Sequence, residues 1–425
     1  MSQARPTGGP GSALAPDHGT GGAGSTAVLA LASAGAGLLA YAFVVVGTRT
    51  YGGAAFAGVA QVWSIWFVGA AVLTFPVQHW IVTTATVDGD FERVRRALPG
   101  LGALVLGAAV ALGLLSAVLG ERLFDSPKVA YPVALAGVTL GAGLAGVLRG
   151  SLAARGRFTA VGGAIVGEGL LRLAVGAAVA GAGGGVAAYG LTVASGLVVA
   201  LCWRSAWRFG PPTPGPAPRL AHVLGGLGGG NLIAQGVLTG GPVALALIGG
   251  SSSEVTALFV TLALLRAPYL VMLGVSVRIT ATLSVAAVGG AEALAGRWRQ
   301  LMLAALGGAP LAAVAAVLLG PWAIRLVFGA DIAITRGVAA AVGCGSALAV
   351  ANLIASLLSL VEGRSSAVLV AWLAGAAGAL TMLAAGFGPL NQVLAAFLLA
   401  ETIAFAAMAM QWLRSSEPAP GVEAS

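Results

Sequence analysis

The sequence predicts an all-α membrane protein that crosses the bilayer about twelve times, in two bundles of six helices. The chain of 425 residues is 58% hydrophobic and only 8% charged, and its mean hydropathy is +0.96. Soluble domains carry about 25% charged residues, so this composition excludes an ordinary soluble fold. The apolar residues also fall into runs of roughly 20, the length at which an α-helix spans the hydrocarbon core.

Twelve such runs follow one another along the chain, and each predicts one membrane-spanning helix. We expect spans at residues 27–47, 54–84, 98–119, 129–148, 158–180, 184–203, 223–249, 255–285, 301–320, 337–358, 366–386 and 389–411. The segment before the first span, residues 1–26, is polar and rich in glycine and proline, which predicts disorder. No signal peptide is expected, because no basic stretch leads directly into a short apolar core.

The basic residues predict the orientation. They concentrate in alternate loops, at residues 93–96, 149–157, 204–219 and 297–299. Because cytoplasmic loops carry an excess of arginine and lysine, this bias predicts that both termini lie in the cytoplasm. The heavy use of alanine, glycine, valine and arginine suggests a bacterial source, so the expected location is the bacterial plasma (inner) membrane. The net charge of +8 therefore belongs to loops, and we expect no nucleic-acid partner.

The proline-rich stretch WRSAWRFGPPTPGPAPRLAHV divides the chain. It predicts a cytoplasmic linker at residues 204–222, between a first lobe at 27–203 and a second lobe at 223–413, with a tail at 414–425. GRFTAV at 156–161 and GRSSAV at 363–368 each lead into the fifth span of their half. Such weak repetition favours two parallel repeats related by an axis along the membrane normal.

Glu168 and Arg172 are the first candidate site residues. A spacing of four puts both side chains on one face of the fifth helix, and charges inside a membrane normally face a cavity or a partner. They could line a cavity that meets an anionic head group or carries protons. The alternative is an ion pair with no net charge that holds two helices together.

Arg266 and Arg278 lie in the eighth run, with Pro268 between them, so the helix is expected to bend there. An unpaired Arg266 would be an anion site, but it could also reach an interface or pair with Glu401 of the twelfth span. Arg278 is expected near the cytoplasmic interface.

Other polar residues within the spans could line a cavity or join helices by hydrogen bonds. The further cavity candidates are Asn231, Gln235 and Glu401, and a second set contains Gln61, Gln78, His79 and Arg278. His79 could titrate near neutral pH, and Glu401 could hold a proton or a cation.

Enzyme chemistry has no support in the motifs. The two cysteines, Cys202 and Cys344, lie in apolar segments, and the sequence has no metal-ligand spacing, nucleotide-binding lysine motif or nucleophile motif. A membrane glycosyltransferase or polymerase would need large external loops with acidic residues, whereas these loops are short. We therefore predict that the protein is not an enzyme and uses no cofactor or metal. A membrane protein with a purely structural role is a further alternative, but such a protein would not need arginines deep within its membrane spans.

VLRGSLAARGRF after the fourth span, RAPYL in the eighth and IRLVFGAD after the ninth carry a family resemblance. With the six-plus-six plan, they resemble the multidrug/oligosaccharidyl-lipid/polysaccharide (MOP) exporter superfamily, and within it the polysaccharide biosynthesis flippases. The resemblance implies two six-helix bundles around a central cavity. It also implies an oligosaccharide on undecaprenyl diphosphate as cargo, with Arg172 and Arg266 lining the cavity.

The sequence differs from patterns of the superfamily in two respects that bear on the cargo. The first span lacks the arginine of lipid II flippases, which makes lipid II a weaker candidate. Glu168 is the one acid in the first lobe's spans, and a cation-coupled drug or small-molecule exporter is the runner-up. Coupling to H⁺ or Na⁺ and contact with membrane lipids are expected from the same resemblance.

Overall fold

The computed structural model describes residues 21–86, 91–125, 129–207, 209, 228–288 and 291–416. Within these ranges the chain is almost entirely helical and has no strand. A helix satisfies its backbone hydrogen bonds internally, as a bilayer requires. Nine of the described helices are long and apolar enough to cross a membrane, and one bent pair makes a tenth. The predicted all-α membrane fold is confirmed.

The described part of the first lobe contains nine helices. They are α1 (Gly21–Tyr51), α2 (Gly53–Gly69), α3 (Phe75–Thr86), α4 (Phe91–Val118), α5 (Gly120–Phe124), α6 (Ala130–Ala154), α7 (Phe158–Gly181), α8 (Val186–Leu191) and α9 (Gly196–Cys202). A π-helical segment, Ala70–Thr74, joins α2 to α3, and the two helices form one span. A 3₁₀ turn, Thr192–Ser195, joins α8 to α9.

The described part of the second lobe contains eight helices. They are α10 (Gly228–Thr239), α11 (Gly241–Leu247), α12 (Ser252–Leu265), α13 (Ala267–Val288), α14 (Ala291–Phe328), α15 (Arg336–Val361), α16 (Ser365–Leu383) and α17 (Pro389–Ser416). The apolar runs of the sequence coincide with these helices or with pairs of them.

Two predicted spans differ from the expected single helix. The run at 184–203 is a shorter apolar segment, Val186–Cys202, that includes the 3₁₀ turn. The run at 223–249, described from residue 228, breaks at Gly240, and Pro242 stands in the first turn of α11. Proline has no N–H to donate to the preceding turn, which favours the start of a new helix at this point.

The eighth span bends by 49° between α12 and α13. Arg266 is the residue at the break, two residues before Pro268. A proline ring clashes with the carbonyl four residues earlier and cannot donate a backbone hydrogen bond, so the helix axis turns just before it. The bend expected from the sequence is therefore present, and it exposes the region around Arg266 to neighbouring helices.

Helix packing defines the two lobes and their contact. Within the lobes α1 packs on α7, α4 on α6, α14 on α15 and α16 on α17, and the main helix contact between lobes is α2 against α12. One apolar core includes Phe43, Trp63 and Tyr189 of the first lobe together with Phe259 and Ile324 of the second. The lobes therefore share buried apolar surface, which is the dominant attractive contribution to their association.

The outward faces of the long helices are apolar. Leu106 and Leu114 on α4 and Leu306 and Leu318 on α14 are more than half exposed. A patch of large apolar side chains of this extent would be unfavourable in water. Together with the spanning helices, it identifies a multi-pass membrane protein.

The segments outside the lobes are described only in part. Helix α1 begins at Gly21, six residues before the predicted first span, and α17 continues to Ser416, past the predicted start of the tail. Of the predicted linker only residues 204–207 and 209 lie within the described ranges, and the lobe boundaries stay a prediction. The Trp207 indole N–H donates to the Ala200 carbonyl over 2.8 Å, so the linker begins against the first lobe.

Gly343 is expected to be essential for the packing of α15 on α14. A Cβ atom at this position would lie 2.8 Å from the Ala312 carbonyl oxygen and 2.6 Å from the Ala316 Cβ. Because backbone cannot move aside as a flexible side chain does, Gly343→Ala should destabilise the protein by roughly 1–3 kcal/mol. Thermal unfolding of the detergent-purified chain measures this. Gly307→Ala on the exposed face of α14, where a Cβ meets nothing within 4 Å, is the control, and equal melting temperatures would contradict the packing argument.

Candidate functional site

A cluster of three charged side chains forms between α6 and α7 of the first lobe. The Glu168 Oε1 accepts from the Arg172 Nη2 at 2.7 Å, as the spacing of four predicted, and the Glu168 Oε2 accepts from the Arg149 Nη2 at 2.8 Å. Arg149 was assigned to a loop by the sequence, but it lies inside α6, one turn before the end of that helix. One carboxylate therefore serves two arginines, and the cluster carries a net positive charge.

Two tryptophan rings pack against Arg172 of this cluster. The Arg172 guanidinium lies 4.5 Å from the ring centroid of Trp66 and 5.1 Å from that of Trp63. The electron-rich face of an indole attracts a cation, more strongly where water is excluded. The Arg172 Nε also donates to the Val193 carbonyl over 3.2 Å. Arg172 is only 4% exposed, and these contacts hold it in addition to its carboxylate.

Arg266 is the second buried cation. It is 6% exposed, its Nη1 donates to the Leu238 carbonyl over 2.5 Å, and its guanidinium lies 5.8 Å from the Phe67 ring centroid. Its Nε is buried without a hydrogen-bond partner. Among the described residues no carboxylate lies within 4 Å of Arg266, so the pairing with Glu401 that the sequence left open does not form.

The two arginines contact neighbouring aromatic side chains of α2, Trp66 and Phe67, which we call the aromatic strip. Trp66 and Phe67 are neighbours with ring centroids 5.0 Å apart, and Trp66 contacts Arg172 whereas Phe67 contacts Arg266. The half-buried rings thus connect the first lobe's cation to the second lobe's cation. The tertiary structure brings together two site candidates that lie almost a hundred residues apart.

Glu401 is fully buried in the second lobe and pairs with an amide. The Asn352 Nδ2 donates to the Glu401 Oε2 at 2.7 Å and to the Glu401 carbonyl at 2.8 Å. The Oε1 of Glu401 and the Oδ1 of Asn352 are buried without partners. A buried carboxyl group without a cation is costly to keep ionised, so this pair suits a neutral carboxyl group.

The remaining sequence candidates do not form one site. Gln235 donates to the Tyr269 hydroxyl over 2.8 Å, and buried Gln61 donates to the Pro242 carbonyl over 3.1 Å. Gln78 is half-buried, whereas His79 is exposed on α3. The side chains of Asn231 and Arg278 lie outside the described residues. In the part of the chain that the structure describes, no three His, Cys, Asp or Glu side chains group as a metal site.

Several contributors to the site were missed from the sequence. Arg149 was missed because it stands near a helix end in an arginine-rich stretch, and Asn352 because nothing local links it to Glu401. The aromatic strip had a visible signal. In QVWSIWF, at residues 61–67, Trp63 precedes Trp66 and Phe67 by three and four positions, the spacing of one helix face.

One end of the molecule is held closed between the lobes. We call it the opposite end; it includes Gly52 and residues 248–251 and 329–335, whereas the arginine-rich end includes residues 155–157 and 362–364. Arg49 of α1 donates from Nε to the Val327 carbonyl over 3.0 Å and also to the Leu326 carbonyl. These carbonyls belong to the last turn of α14, where a cation is favoured by the unpaired C=O groups.

A second contact crosses the opposite end in the reverse direction. Asp331 of the second lobe accepts from the Gly53 backbone N–H over 2.7 Å. Gly53 is the first residue of α2, and anions are favoured at helix N-termini. Ser252 also donates to Asp125 across the lobes over 3.1 Å. Each lobe thus places a charge on a helix end of the other.

Cavities within the part of the chain that the structure describes include one at the opposite end and one inside the second lobe. A cavity of about 630 Å³ at the opposite end is lined by residues of both lobes, including Gln61, Asp125 and Ser252. A cavity of about 420 Å³ in the second lobe is lined almost entirely by apolar side chains, including Leu258, Leu380 and Phe397. Their sizes fall within the range of small-molecule sites.

The fold resembles solved transporter structures. The chain is similar to an inward-facing multidrug resistance MATE family transporter of the MOP superfamily. The TM-score is 0.64 at 15% identity, over 90% of this chain and 96% of that chain. It is also similar to MATE in complex with MaL6 (TM-score 0.59, 15% identity, 92% and 96% covered). A third similar structure is a MOP superfamily transporter from Pyrococcus furiosus (TM-score 0.56, 14% identity, 93% and 96% covered).

These likenesses define the architecture. The chain has the twelve-helix, two-lobe fold of the MATE transporters, in agreement with the predicted fold class. No protein-family model and no curated protein sequence matches the chain. At such low identity the likeness extends to the fold and not to the cargo.

Asn352 is expected to stabilise the second lobe through Glu401. Asn352→Leu removes both donated hydrogen bonds and leaves the buried carboxyl group without a partner, which typically costs about 1–3 kcal/mol. Thermal unfolding in detergent should show a clear fall in melting temperature. Ser356→Ala, one turn further along α15, removes only a contact of 3.7 Å to the Met408 sulfur and should change little. Equal effects of the two variants would show that the amide does not stabilise Glu401.

Proposed function

We propose that the protein is an alternating-access transporter that moves a lipid-linked oligosaccharide across a bacterial plasma membrane. The cargo has a diphosphate head group and an undecaprenyl tail, and the protein acts in the synthesis of cell-surface polysaccharide. The observation that carries this proposal is the burial of Arg266 between helices with an unpartnered Nε and no carboxylate within 4 Å among the described residues. A buried cation without a counter-ion is costly, and an anionic ligand would offset that cost.

The charge balance of the inner surface supports an anion as cargo. Two arginines share the single carboxylate of Glu168, and Arg266 adds a further positive charge. The planar guanidinium fork matches phosphate oxygens, which makes arginine suited to a diphosphate group. The same positive charge disfavours a cationic drug, because like charges at low dielectric repel strongly.

The aromatic strip supports the carbohydrate part of the cargo. Trp66 and Phe67 are half-buried beside the two arginines. Their flat apolar faces suit the C–H surfaces of sugar rings, while the polar edges of the sugar remain free for water. The long lipid tail needs no enclosed site, because it stays in the surrounding bilayer.

The closed opposite end supports alternating access. Arg49 and Asp331 form breakable contacts between the lobes at exposed positions. The arginine-rich end would then face the cytoplasm, as the positive-inside rule expects, and the cargo would enter from that side.

A cation-coupled exporter of drugs or small molecules is the second candidate. Glu401, a fully buried acid with no cation within 4 Å among the described residues, is the observation that favours it, since such a group can hold a proton or Na⁺. Two of the similar structures are of MATE transporters, one of them described as a multidrug resistance transporter. The Pyrococcus furiosus transporter is described as having a binding pocket of reverse polarity, which suggests a different function for that protein.

Reconstituted vesicles distinguish the two candidates. We expect the purified chain to move a fluorescent polyprenyl diphosphate oligosaccharide between leaflets and to leave ethidium untransported. Arg266→Gln should slow flipping by about tenfold or more, since hydrogen bonds to charged groups contribute roughly 1.5–3 kcal/mol. Arg299→Gln, an exposed arginine on α14, is the control and should flip at the wild-type rate. Ethidium transport without flipping would overturn the proposal in favour of the exporter.

The contacts at the opposite end should restrain outward opening. The double variant Arg49→Ala/Asp331→Ala loses two charge contacts with helix ends, each worth about 0.3–1 kcal/mol. Spin labels at residues 182 and 385, on a background with Cys202 and Cys344 replaced by alanine, report the distance between the lobes. We expect the variant to populate longer distances than the parent. Glu254→Gln, whose carboxylate bonds only within its own helix cap, should leave the distribution unchanged, and an unchanged double variant would refute the restraint.

A further inference from the structure

Glu168 is bound by two arginines through two different oxygens. Its Oε1 contacts Arg172 at 2.7 Å and its Oε2 contacts Arg149 at 2.8 Å. We propose that Arg149 is a positioning residue that retains Glu168 when an anionic group of the cargo replaces that carboxylate on Arg172. This inference rests on the proposed function, because it assumes that Arg172 meets an anion.

The geometry allows one contact to break while the other remains. Each arginine holds its own carboxylate oxygen, so loss of the Oε1 contact leaves the Oε2 contact in place. Breaking a buried ion pair normally strands both charges, which is the main penalty against such an exchange. Here the incoming anion compensates Arg172 and Arg149 continues to compensate Glu168. No charge is left alone at the end of the exchange.

The two arginines differ in a way that identifies the exchanging partner. Arg172 has other supports, because it lies against Trp63 and Trp66 and donates to the Val193 carbonyl. It therefore keeps its position without Glu168. Arg149 lies nearer the arginine-rich end, about one turn before α6 finishes, and its side chain is 15% exposed against 4% for Arg172.

Gly196 shapes the resting position of the carboxylate. A Cβ at this position would lie 2.6 Å from the Glu168 Cγ and 2.7 Å from its Oε1. The absence of a side chain therefore leaves room for the oxygen that faces Arg172. A methyl group there would displace the whole end of the Glu168 side chain, since its Cγ, its Cδ and its Oε1 all lie within 2.8 Å of the added atom.

The experiment compares the affinity of four forms of the full chain for farnesyl diphosphate, the probe, by calorimetry in detergent. They are the wild type, Arg149→Gln, Glu168→Gln and the double variant Arg149→Gln/Glu168→Gln. We expect Arg149→Gln to weaken binding by about tenfold, because Glu168 must then be stranded when the probe binds. In the Glu168→Gln background the same change should weaken binding by less than about threefold, since no carboxylate remains to be retained.

This non-additivity separates positioning from a general charge effect. If Arg149 acts only through its positive charge, Arg149→Gln will lower the affinity equally in both backgrounds, and that result would overturn the inference. Arg149→Lys keeps the charge and should bind within about threefold of the wild type. If Arg149→Gln does not fold, the lysine variant still tests the inference. Lysine should keep the contact with the Glu168 carboxylate, so an affinity for the probe about tenfold below that of the wild type would contradict the inference.

Two controls distinguish the failure of this inference from the failure of the proposed function. Arg157→Gln changes an exposed arginine that bonds the Ser205 hydroxyl at the same end, and it should bind the probe like the wild type. If the wild type binds no farnesyl diphosphate and Arg266→Gln changes nothing, the proposed function fails and this inference with it. If the wild type binds in an Arg266-dependent manner but the Arg149 effect is additive, only the inference fails.

Discussion

The rest of the structure depends on how ionised side chains are kept inside an apolar helical protein. In the first lobe the Glu168 carboxylate of α7 binds two arginines: Arg149, which joins α6 to α7, and Arg172, one turn further along α7. Arg172 then extends the same connection to the aromatic face of α2 and to the backbone at Val193. A buried charge is stable only where it keeps its partners. These contacts therefore fix the relative positions of α2, α6, α7 and the 3₁₀ turn that contains Val193.

The second lobe meets the same constraint without an ion pair. Arg266 stands where the span breaks before Pro268, and it uses the Leu238 carbonyl and the Phe67 ring in place of a carboxylate. Glu401 pairs with the amide of Asn352, which suits a neutral carboxyl group and so avoids a second buried charge. The lobes therefore differ chemically although their helices follow the same plan. The buried arginines therefore outnumber the carboxylates that they contact, and the proposed anionic cargo rests on this uneven division of charge.

Permanent and breakable contacts occupy different places. The buried charges lie deep in each lobe, where the loss of a partner is costly, whereas Arg49 and Asp331 meet helix ends at exposed positions. Exposed charge contacts contribute little individually, because water and salt screen them. A protein whose lobes must separate and rejoin benefits from this arrangement, since the lobes can move while each keeps its internal structure.

The amino-acid sequence was sufficient to predict the membrane class, the positions of most helices, the bend before Pro268 and the contact between Glu168 and Arg172. Each of these depends on composition or on spacing within one helix, where the period of 3.6 residues fixes which side chains are neighbours. Three arrangements became visible only in the folded structure: Arg149 shares Glu168, Asn352 pairs with Glu401, and Arg172 and Arg266 contact one aromatic strip. These contacts join different helices, and the rotation of each helix about its axis is set by packing against its neighbours, which no local spacing encodes.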